Sequence, residues 1–369
     1  GTILGTVTDP TGAVVPASAV KARNNATNET REFTTDSLGN YQFNALPSGT
    51  YTISATGPSF KTTTVEGVVL RVNMQVRADL SMQLGVVAET VQVEATTPQL
   101  QTNTAVMGMV IDNRTMLELP LNARNFFDLA ALTPGALKTF GTSSVMDERS
   151  IEIAGVRNTA TGANLDGVDF TVINQNNPGI ALSLDALAEF KVQTNFLDAT
   201  YGHGAAGIDM VTKRGSNEFH GVVYDFVRNR AFQAGQYFRP ATGAPRFSYN
   251  QFGLNVGGPI KKDKTFYFGN YEGRRRRTGV ILQGLVPTEQ QMAGDFSATG
   301  KTIKDPLNNN VPFPGNVIPK NRFDPITEKM IQYFPRPNLV GRPGVNFLVT
   351  PSDWERRDQF TARLDHRVS

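Results

Sequence analysis

Cysteine does not occur in this chain. Its absence excludes a disulfide framework and a thiolate site, and is compatible with an oxidising compartment without requiring one. Histidine is scarce as well: His203, His220 and His366 lie in unrelated segments, with none of the His-x-x-x-His or Cys/His spacings that hold a metal. No serine stands in a Gly-x-Ser-x-Gly elbow, so nucleophilic catalysis has no carrier. Without a convergent acid, base, nucleophile or metal set, an enzyme is not expected. Charge of one sign is in small excess, 36 Lys+Arg against 33 Asp+Glu, too little to imply nucleic acid or another polyanion as partner. Long apolar runs are missing too. None reaches the roughly 18 to 20 residues of a spanning helix, although barrel strands of about 9 to 11 half-polar residues escape that test.

What the chain has instead is turn formers and alternation. Thirty-four glycines and 21 prolines against one tryptophan favour many short strands over helices, and 39% hydrophobic content over 369 residues suffices for two or three modest cores. In the closing segment from Gln359 to Val368, Phe360, Ala362, Leu364 and Val368 point one way and Gln359, Thr361, Arg363, Asp365 and Arg367 the other. The same period of two sets Phe252, Leu254 and Val256 against Gln251, Gly253 and Asn255. A strand between two different solvents, as in the wall of a membrane β-barrel, is written this way.

From Gly1 to about Val93, turn signals recur at Asp9-Pro10-Thr11-Gly12, Asn24-Asn25, Asp36 to Asn40 and Pro47-Ser48-Gly49, separating about seven short strands. Tyr41 and Phe43, then Tyr51 and Ile53, sit two apart on either side of a turn, so each pair can face one apolar layer of a two-sheet sandwich. The runs Gly5 to Asp9 with Gly12, Asp36 to Phe43 and Leu46 to Tyr51 resemble the carboxypeptidase regulatory-like domain, an Ig-like module with a carbohydrate-binding-like fold. That resemblance raises glycan binding, but no exposed Tyr or Trp platform is evident, and core packing accounts for the aromatics.

The region from Glu94 to Gly215 reads as a compact mixed α+β domain. Leu119-Pro120-Leu121-Asn122 leads into a short helix over Ala123 to Leu132, closed by Thr133-Pro134-Gly135. Leu165, Asp166, Gly167, Val168 and Asp169, then Leu187 to Val192, then Tyr201, Gly202, Gly204 and Gly207 running into Lys213 and Gly215, resemble in that order the plug of TonB-dependent outer-membrane receptors. The glycines suit tight turns and close backbone packing inside a barrel. Gly202 to Gly207 also satisfies the text pattern G-x-G-x-x-G, but a dinucleotide loop needs an apolar strand before it and a helix after it. Here Asn195 to Thr200 is polar and Ile208 to Thr212 reads as a strand. Gly294 to Thr302 fails as a P-loop for want of the right spacing. Asp166 and Asp169, three apart in a Gly-containing turn, read as capping groups that bond nearby backbone amides.

From Ser216 to Ser369, Gly221–Asn229, Asn250–Val256, Phe266–Tyr271, Val280–Val286 and the closing segment make about five strands between long polar connections. Gln251-Phe252-Gly253, Gly257 to Phe266, Tyr271-Glu272-Gly273, Gly294-Asp295-Phe296, Phe313 to Pro319 and Asp358-Gln359-Phe360 resemble the opening of an Oar-like TonB-dependent transporter barrel. Arg274 to Arg277 is expected as a solvated strand end. Plugged barrels of about 22 strands need at least ~220 residues of wall, and the stretch after Gly215 falls short of that, so a fragment is expected, lacking also a signal peptide.

The fold expected is therefore mainly β: a sandwich over 1–93, a plug over 94–215 and the first strands of a truncated transmembrane barrel over 216–369. The resemblance implies energy-coupled transport across the bacterial outer membrane, with the sandwich on the periplasmic side and no cofactor. It implies outer-membrane lipid and a TonB-type inner-membrane energy transducer as partners. The substrate stays open among siderophore, cobalamin, glycan and peptide. Glu89, Thr90, Val91, Gln92, Val93, Glu94 and Ala95 resemble a TonB box, which would pair edge to edge with the transducer, or else are the linker strand leaving the sandwich. A barrel-anchored surface adhesion or glycan-binding protein is the alternative.

Overall fold

The computed structural model describes residues 1–85, 90–94, 107–121, 124–138, 151–153, 155, 161–172, 177–178, 182–195, 206–234, 237, 245–341 and 343–368. It divides into two compact units, Gly1–Tyr224 with Phe252–Glu272 and Asp358–Ser369, and Asp225–Gln251 with Gly273–Arg357.

The first unit begins with a sandwich. Strands β1 (Thr2–Thr8), β2 (Ala19–Asn24), β3 (Thr30–Thr34), β4 (Asn40–Phe43), β5 (Gly49–Thr56), β6 (Thr62–Leu70), β7 (Gln75–Arg77), β8 (Leu80–Ser81) and β9 (Thr90–Glu94) form two sheets. One runs β4-β1-β7 with β8 also on β1, and the other β3-β2-β5-β6-β9. Alternation decides the packing: in β1 and β2 every second residue is buried, and Ile3, Val7, Val20 and Ala22 meet between the sheets. Tyr41, Phe43, Tyr51 and Ile53 are all in this core, as their spacing required, and burying each such side chain is worth about 1.5–3 kcal/mol. Both tyrosine hydroxyls find acceptors, Tyr41 on the Ala78 carbonyl and Tyr51 on that of Pro47. The turns close on their aspartates: Asp9 accepts from the Thr11 and Ala13 amides, and Asp36 from those of Leu38 and Asn40.

The middle region is a mixed α/β layer, with β10 (Met107–Asp112), α1 (Asn113–Glu118), α2 (Phe127–Ala130), β11 (Ala136–Lys138), β12 (Ile151–Ile153), β13 (Thr161–Leu165), β14 (Val168–Asp169), β15 (Thr171–Val172), β16 (Asn177–Pro178), β17 (Leu187–Asn195) and β18 (Ala206–Thr212). A five-stranded sheet runs β10-β17-β18-β13-β14, parallel only between β13 and β18. Ile111, Phe190, Val192, Ile208 and Met210 from the sheet pack with Met116 and Leu129 from the helices and with Phe126, the N-cap of α2. The helix expected over Ala123–Leu132 is shorter than its pattern. Arg124 has φ 50°, a left-handed backbone that an α-helix excludes, so α2 starts only after it. Ile208–Thr212 is a strand as expected, within β18. A strand rather than a helix therefore follows Gly207, and the dinucleotide reading fails on context.

Four long strands complete the unit and contribute residues to the second: β19 (His220–Asn229), β20 (Phe247–Lys261), β21 (Thr265–Gly279) and, last in the chain, β26 (Ser352–His366), hydrogen-bonded in the order β19-β20-β21-β26. Inward, Gln251, Asn255, Phe268, Asn270 and Glu272 are buried, whereas Leu254, Phe360 and Leu364 stand exposed on the other face, the two-solvent pattern the sequence carried. In the first unit Tyr271 stacks with Phe360 at 4.8 Å between centroids and donates to Asp358 Oδ1 at 2.8 Å. Extents differ from expectation. β20, β21 and β26 each have 15 residues, longer than the roughly 9 to 11 that cross hydrocarbon; the closing strand starts at Ser352 and stops at His366. Four strands, not five, share this sheet among the described residues.

The second unit adds β22 (Leu282–Gly284), α3 (Glu289–Met292), β23 (Lys304–Asp305), β24 (Val311–Pro312), α4 (Pro325–Ile331) and β25 (Phe347–Val349). Val280–Val286, expected as a wall strand, yields only β22, which pairs with β25. Its apolar Val280, Leu282 and Leu285 stay exposed, so no buried face extends the strand, and Pro287 and the capping box of α3, Thr288 with Gln291, stop it. Arg274–Arg277 lies near the C-terminal end of β21, as expected, with Arg277 exposed; but Arg274 is buried and donates to Glu355 at 2.7 Å, and Arg276 Nε reaches the same carboxylate at 3.2 Å.

Candidate functional site

Three polar joints inside the first unit hold the mixed layer, one toward the wall strands by way of Glu272, one by way of Arg363, and one toward the sandwich.

The first is built around a carboxylate. Alternation in β21 turns Glu272 to the same side as Phe266, Phe268 and Asn270 and buries it. Its Oε2 accepts from Ser183 Oγ and from Tyr224 Oη, each at 2.9 Å. Ser183 also caps the tight turn Leu184–Ala186 by accepting from the Asp185 amide. That turn delivers Asp185, whose side chain is 4% exposed, to Arg124 Nη2 at 2.5 Å. The Arg124 guanidinium in turn lies 5.2 Å from the centroid of the Tyr224 ring, a cation–π distance. Burial pushes the Lys213 ammonium below its ordinary range, while Asp185 pulls it back. Removing one member of such a buried pair strands the other, at about 3–5 kcal/mol.

The second joint corrects the reading of Asp166. Together with Gly167 it forms the two-residue turn between β13 and β14, both with positive φ, 50° and 85°, as a type I′ hairpin demands. Its carboxylate does not cap that turn. Oδ1 accepts from the Thr212 amide and Oδ2 from the Thr212 hydroxyl, and Arg363 Nη1 of β26 donates to Oδ1 at 3.0 Å. A β-turn spacing reveals local acceptors only, and this partner lies 197 residues away. Asp169 does behave as expected, accepting from the Thr171 amide.

At the third joint the turn after β6 meets β17 and β18. The Val72 amide donates to Glu189 Oε2 at 2.7 Å, Asn73 Nδ2 to Asp209 Oδ2 at 3.0 Å, and Lys191 Nζ to the Asn73 carbonyl at 2.8 Å. Burial raises the Glu189 carboxyl above its usual range and lowers the Lys191 ammonium.

The residues singled out in sequence are distributed as follows. Leu165, Asp166, Gly167, Val168 and Asp169 form the hairpin, Gly207 lies in β18, and Lys213 and Gly215 follow it. Gly215 passes so close to β20 and β21 that a Cβ would collide with the Tyr267 carbonyl and lie 2.7 Å from that of Gly258; this is the close packing for which glycine was expected. Tyr201, Gly202, Gly204, Glu89 and Ala95 lie outside the described residues, as do Ala123 and His203. Thr90, Val91, Gln92, Val93 and Glu94 form β9, paired in parallel with Thr62–Glu66 at the edge of the sandwich. Arg124, Ser183, Asp185, Tyr224 and Arg363 were not singled out. One signal existed: Glu272 and Arg363 are charged residues at inward positions of alternating strands.

A carboxypeptidase regulatory-like domain matches residues 2–83, and an outer membrane beta barrel domain matches residues 211–369. Over 295 residues the chain is 28% identical to the TonB-dependent transporter Oar of Myxococcus xanthus, a match covering 73% of this chain and 26% of that protein. The chain thus spans about a quarter of that relative's length. Among solved structures it is similar to the siderophore receptor PirA from Acinetobacter baumannii, at 20% identity and TM-score 0.35 over 48% of this chain and 28% of that one. It is also similar to the siderophore receptor PirA from Pseudomonas aeruginosa, at 14% identity and TM-score 0.32 over 48% and 32%. At these TM-scores the likeness bears on neither fold nor function.

Proposed function

We propose, for a chain that belongs to the TonB-dependent receptors of the outer membrane and carries an N-terminal carboxypeptidase regulatory-like domain, that it serves energy-coupled uptake of a solute across that membrane. Residues 94–215 act as the plug, and the strands from β19 onward are the start of the wall around it. Solute binds above the plug; a TonB-type protein of the inner membrane pulls on residues 89–95; the plug shifts and opens a path. No bond of the solute is broken. The observation that carries this reading is the joint of Ser183, Tyr224 and Glu272. A permanent interface would bury apolar side chains, whereas charged and hydroxyl groups regain water as partners when parted, so the joint opens at modest net cost.

The strand β9 fits the pulling step in one respect: it lies at a sheet edge, where β-strand addition takes place. The candidate solutes are siderophore, cobalamin, glycan and peptide. Glycan capture by stacking on Tyr41 or Tyr51 is disfavoured, since both rings are in the core. Deleting residues 89–95 from the full-length receptor tests the assignment, with labelled members of these four classes as probes. Uptake is expected to stop while binding to the receptor persists; undiminished uptake removes the segment from the mechanism.

A further inference from the structure

Inside the first unit, at the short-turn end of the wall strands, a cavity of about 290 Å³ is lined among others by Arg214, Lys264, Arg367, Glu29, Asp263 and Asp365. Three parts of the chain meet there. Glu29 comes from the turn between β2 and β3 of the sandwich, and Arg214 from the residues just after β18. Asp263 and Lys264 belong to the turn between β20 and β21, while Asp365 and Arg367 stand at the end of β26 and just beyond it. Backbone and amide bonds close the seam around it: the Asn217 amide donates to the Ala26 carbonyl at 2.9 Å, and Asn28 Nδ2 to Asp263 Oδ1 at 3.0 Å. In bacterial outer-membrane barrels the short turns are periplasmic, so the cavity lies at the periplasmic end.

The formal charges of these six residues cancel, but their engagement is one-sided. Asp365 accepts from Arg363 Nε and Nη2 at 2.9 and 3.2 Å. Asp263 Oδ1 accepts from the side-chain amides of Asn28 and Asn217 at 3.0 and 2.7 Å, and Glu29 pairs with Arg31 at 3.5 Å. Every carboxylate is thus occupied. Among the described residues, the side chains of Arg214, Lys264 and Arg367 make no hydrogen bond and no ion pair. Gly215, wedged against the backbone of β20 and β21, fixes the chain at Arg214. Burial, and then repulsion by Arg363, hold the Arg214 guanidinium below its ordinary range, although Asp365 and Asp166 pull the other way. A crowded cation without a counterion is relieved by an anion that enters beside it.

Guanidinium forks match the oxygens of a phosphate group in pairs, and an ammonium adds a point charge. We propose that this cavity binds the phosphate group of a small periplasmic solute, with Arg214, Lys264 and Arg367 as its donors. A ligand held by all three joins the residues after β18 to the wall turn and to the end of β26. The proposal needs only the periplasmic location of this end and is independent of transport.

The test titrates the full-length receptor, purified in neutral detergent, with inorganic phosphate, glycerol 3-phosphate and acetate by isothermal calorimetry, the ionic strength being held with sodium chloride. Saturable phosphate binding is expected, tighter than that of acetate by roughly tenfold, because the dianion engages at least one more charge-assisted bond. Tighter binding of inorganic phosphate than of glycerol 3-phosphate assigns the free ion as ligand, and the reverse order assigns a phosphomonoester. Arg214→Gln should weaken phosphate binding roughly tenfold, and Arg214→Gln with Arg367→Gln on the order of a hundredfold. Because Arg214 is crowded by its neighbours, Arg367→Gln alone, at an exposed position, is measured beside them, with roughly tenfold loss expected. Lys262→Gln removes a charge from the same turn but outside the cavity, and should leave the affinity within about twofold, as a screened surface charge does. Failure of phosphate to saturate, unchanged affinity of the Arg367→Gln protein, or an equal loss in the Lys262→Gln protein would each overturn the proposal.

Discussion

Glu272 is the acceptor on which the wall joint turns, and its removal can be followed quantitatively. Two hydroxyls donate to one buried carboxylate oxygen at 2.9 Å, and a hydrogen bond to a charged group contributes about 1.5–3 kcal/mol net. Tyr224→Phe deletes one bond and leaves the Ser183 bond intact. Because Tyr224 is only partly buried, the lower end applies, about 1.5 kcal/mol. Glu272→Gln keeps the shape, removes the charge and weakens both bonds, for about 2–3 kcal/mol. The double variant should lose less than the sum, with a coupling of about 1 kcal/mol, since both changes touch the same bond. Amide hydrogen exchange of the segment Ser183–Leu187 in the full-length receptor reads the local opening; 2 kcal/mol corresponds to roughly thirtyfold faster exchange at 1.4 kcal/mol per decade. Unaltered exchange in both single variants, or strict additivity in the double, would refute the joint as drawn.

Two further outcomes follow from the same unit. Gly215→Ala forces a Cβ against the Tyr267 and Gly258 carbonyls, which are ladder backbone and cannot yield, so a loss of about 2–3 kcal/mol is expected, measured by chemical denaturation. The second concerns pH. Burial holds the Glu189 carboxyl above its unfolded value, so the folded state binds the extra proton: the stabilisation is complete below the unfolded pKa of about 4.3 and is lost as pH rises through the folded pKa. Wild-type receptor should therefore lose stability relative to Glu189→Gln between pH 4 and neutrality; parallel denaturation profiles of the two proteins would contradict this.

The sandwich was legible because both of its signals are local. Turn residues such as Asp9 and Asp36 bond amides two and four positions away, and period-two burial follows the pleat. The wall strands were legible in kind but not in length. The stretches 274–279 and 352–358 of β21 and β26 are largely polar on both faces, so no alternation of apolar and polar residues marked them as strand. Val280–Val286 imitated a strand by composition while lacking a partner along its length. Helix α1 passed unnoticed although Asp112, whose side chain accepts from the Thr115 amide, stands where an N-cap belongs. The joints were the least legible part. Ser183 and Glu272 are 89 residues apart and Asp166 and Arg363 are 197 apart, and spacing carries no trace of such pairs. The clue lay in chemistry against pattern: carboxylate and guanidinium at positions that alternation turns inward.

The central claim, that the plug must part from the wall at Ser183 and Glu272 for solute to pass, is tested most directly by preventing the parting. These 369 residues contain no cysteine, so in a full-length receptor with any cysteine outside them replaced by serine, Ser183→Cys and Glu272→Cys supply the two thiols to be bridged by a short, reductively cleavable bifunctional reagent. Energy-dependent uptake by the bridged receptor is expected to fall to background, to return when the bridge is cleaved, and to survive reagent treatment in either single-cysteine protein. Uptake by the fully bridged receptor at the rate of the unbridged one would contradict the account.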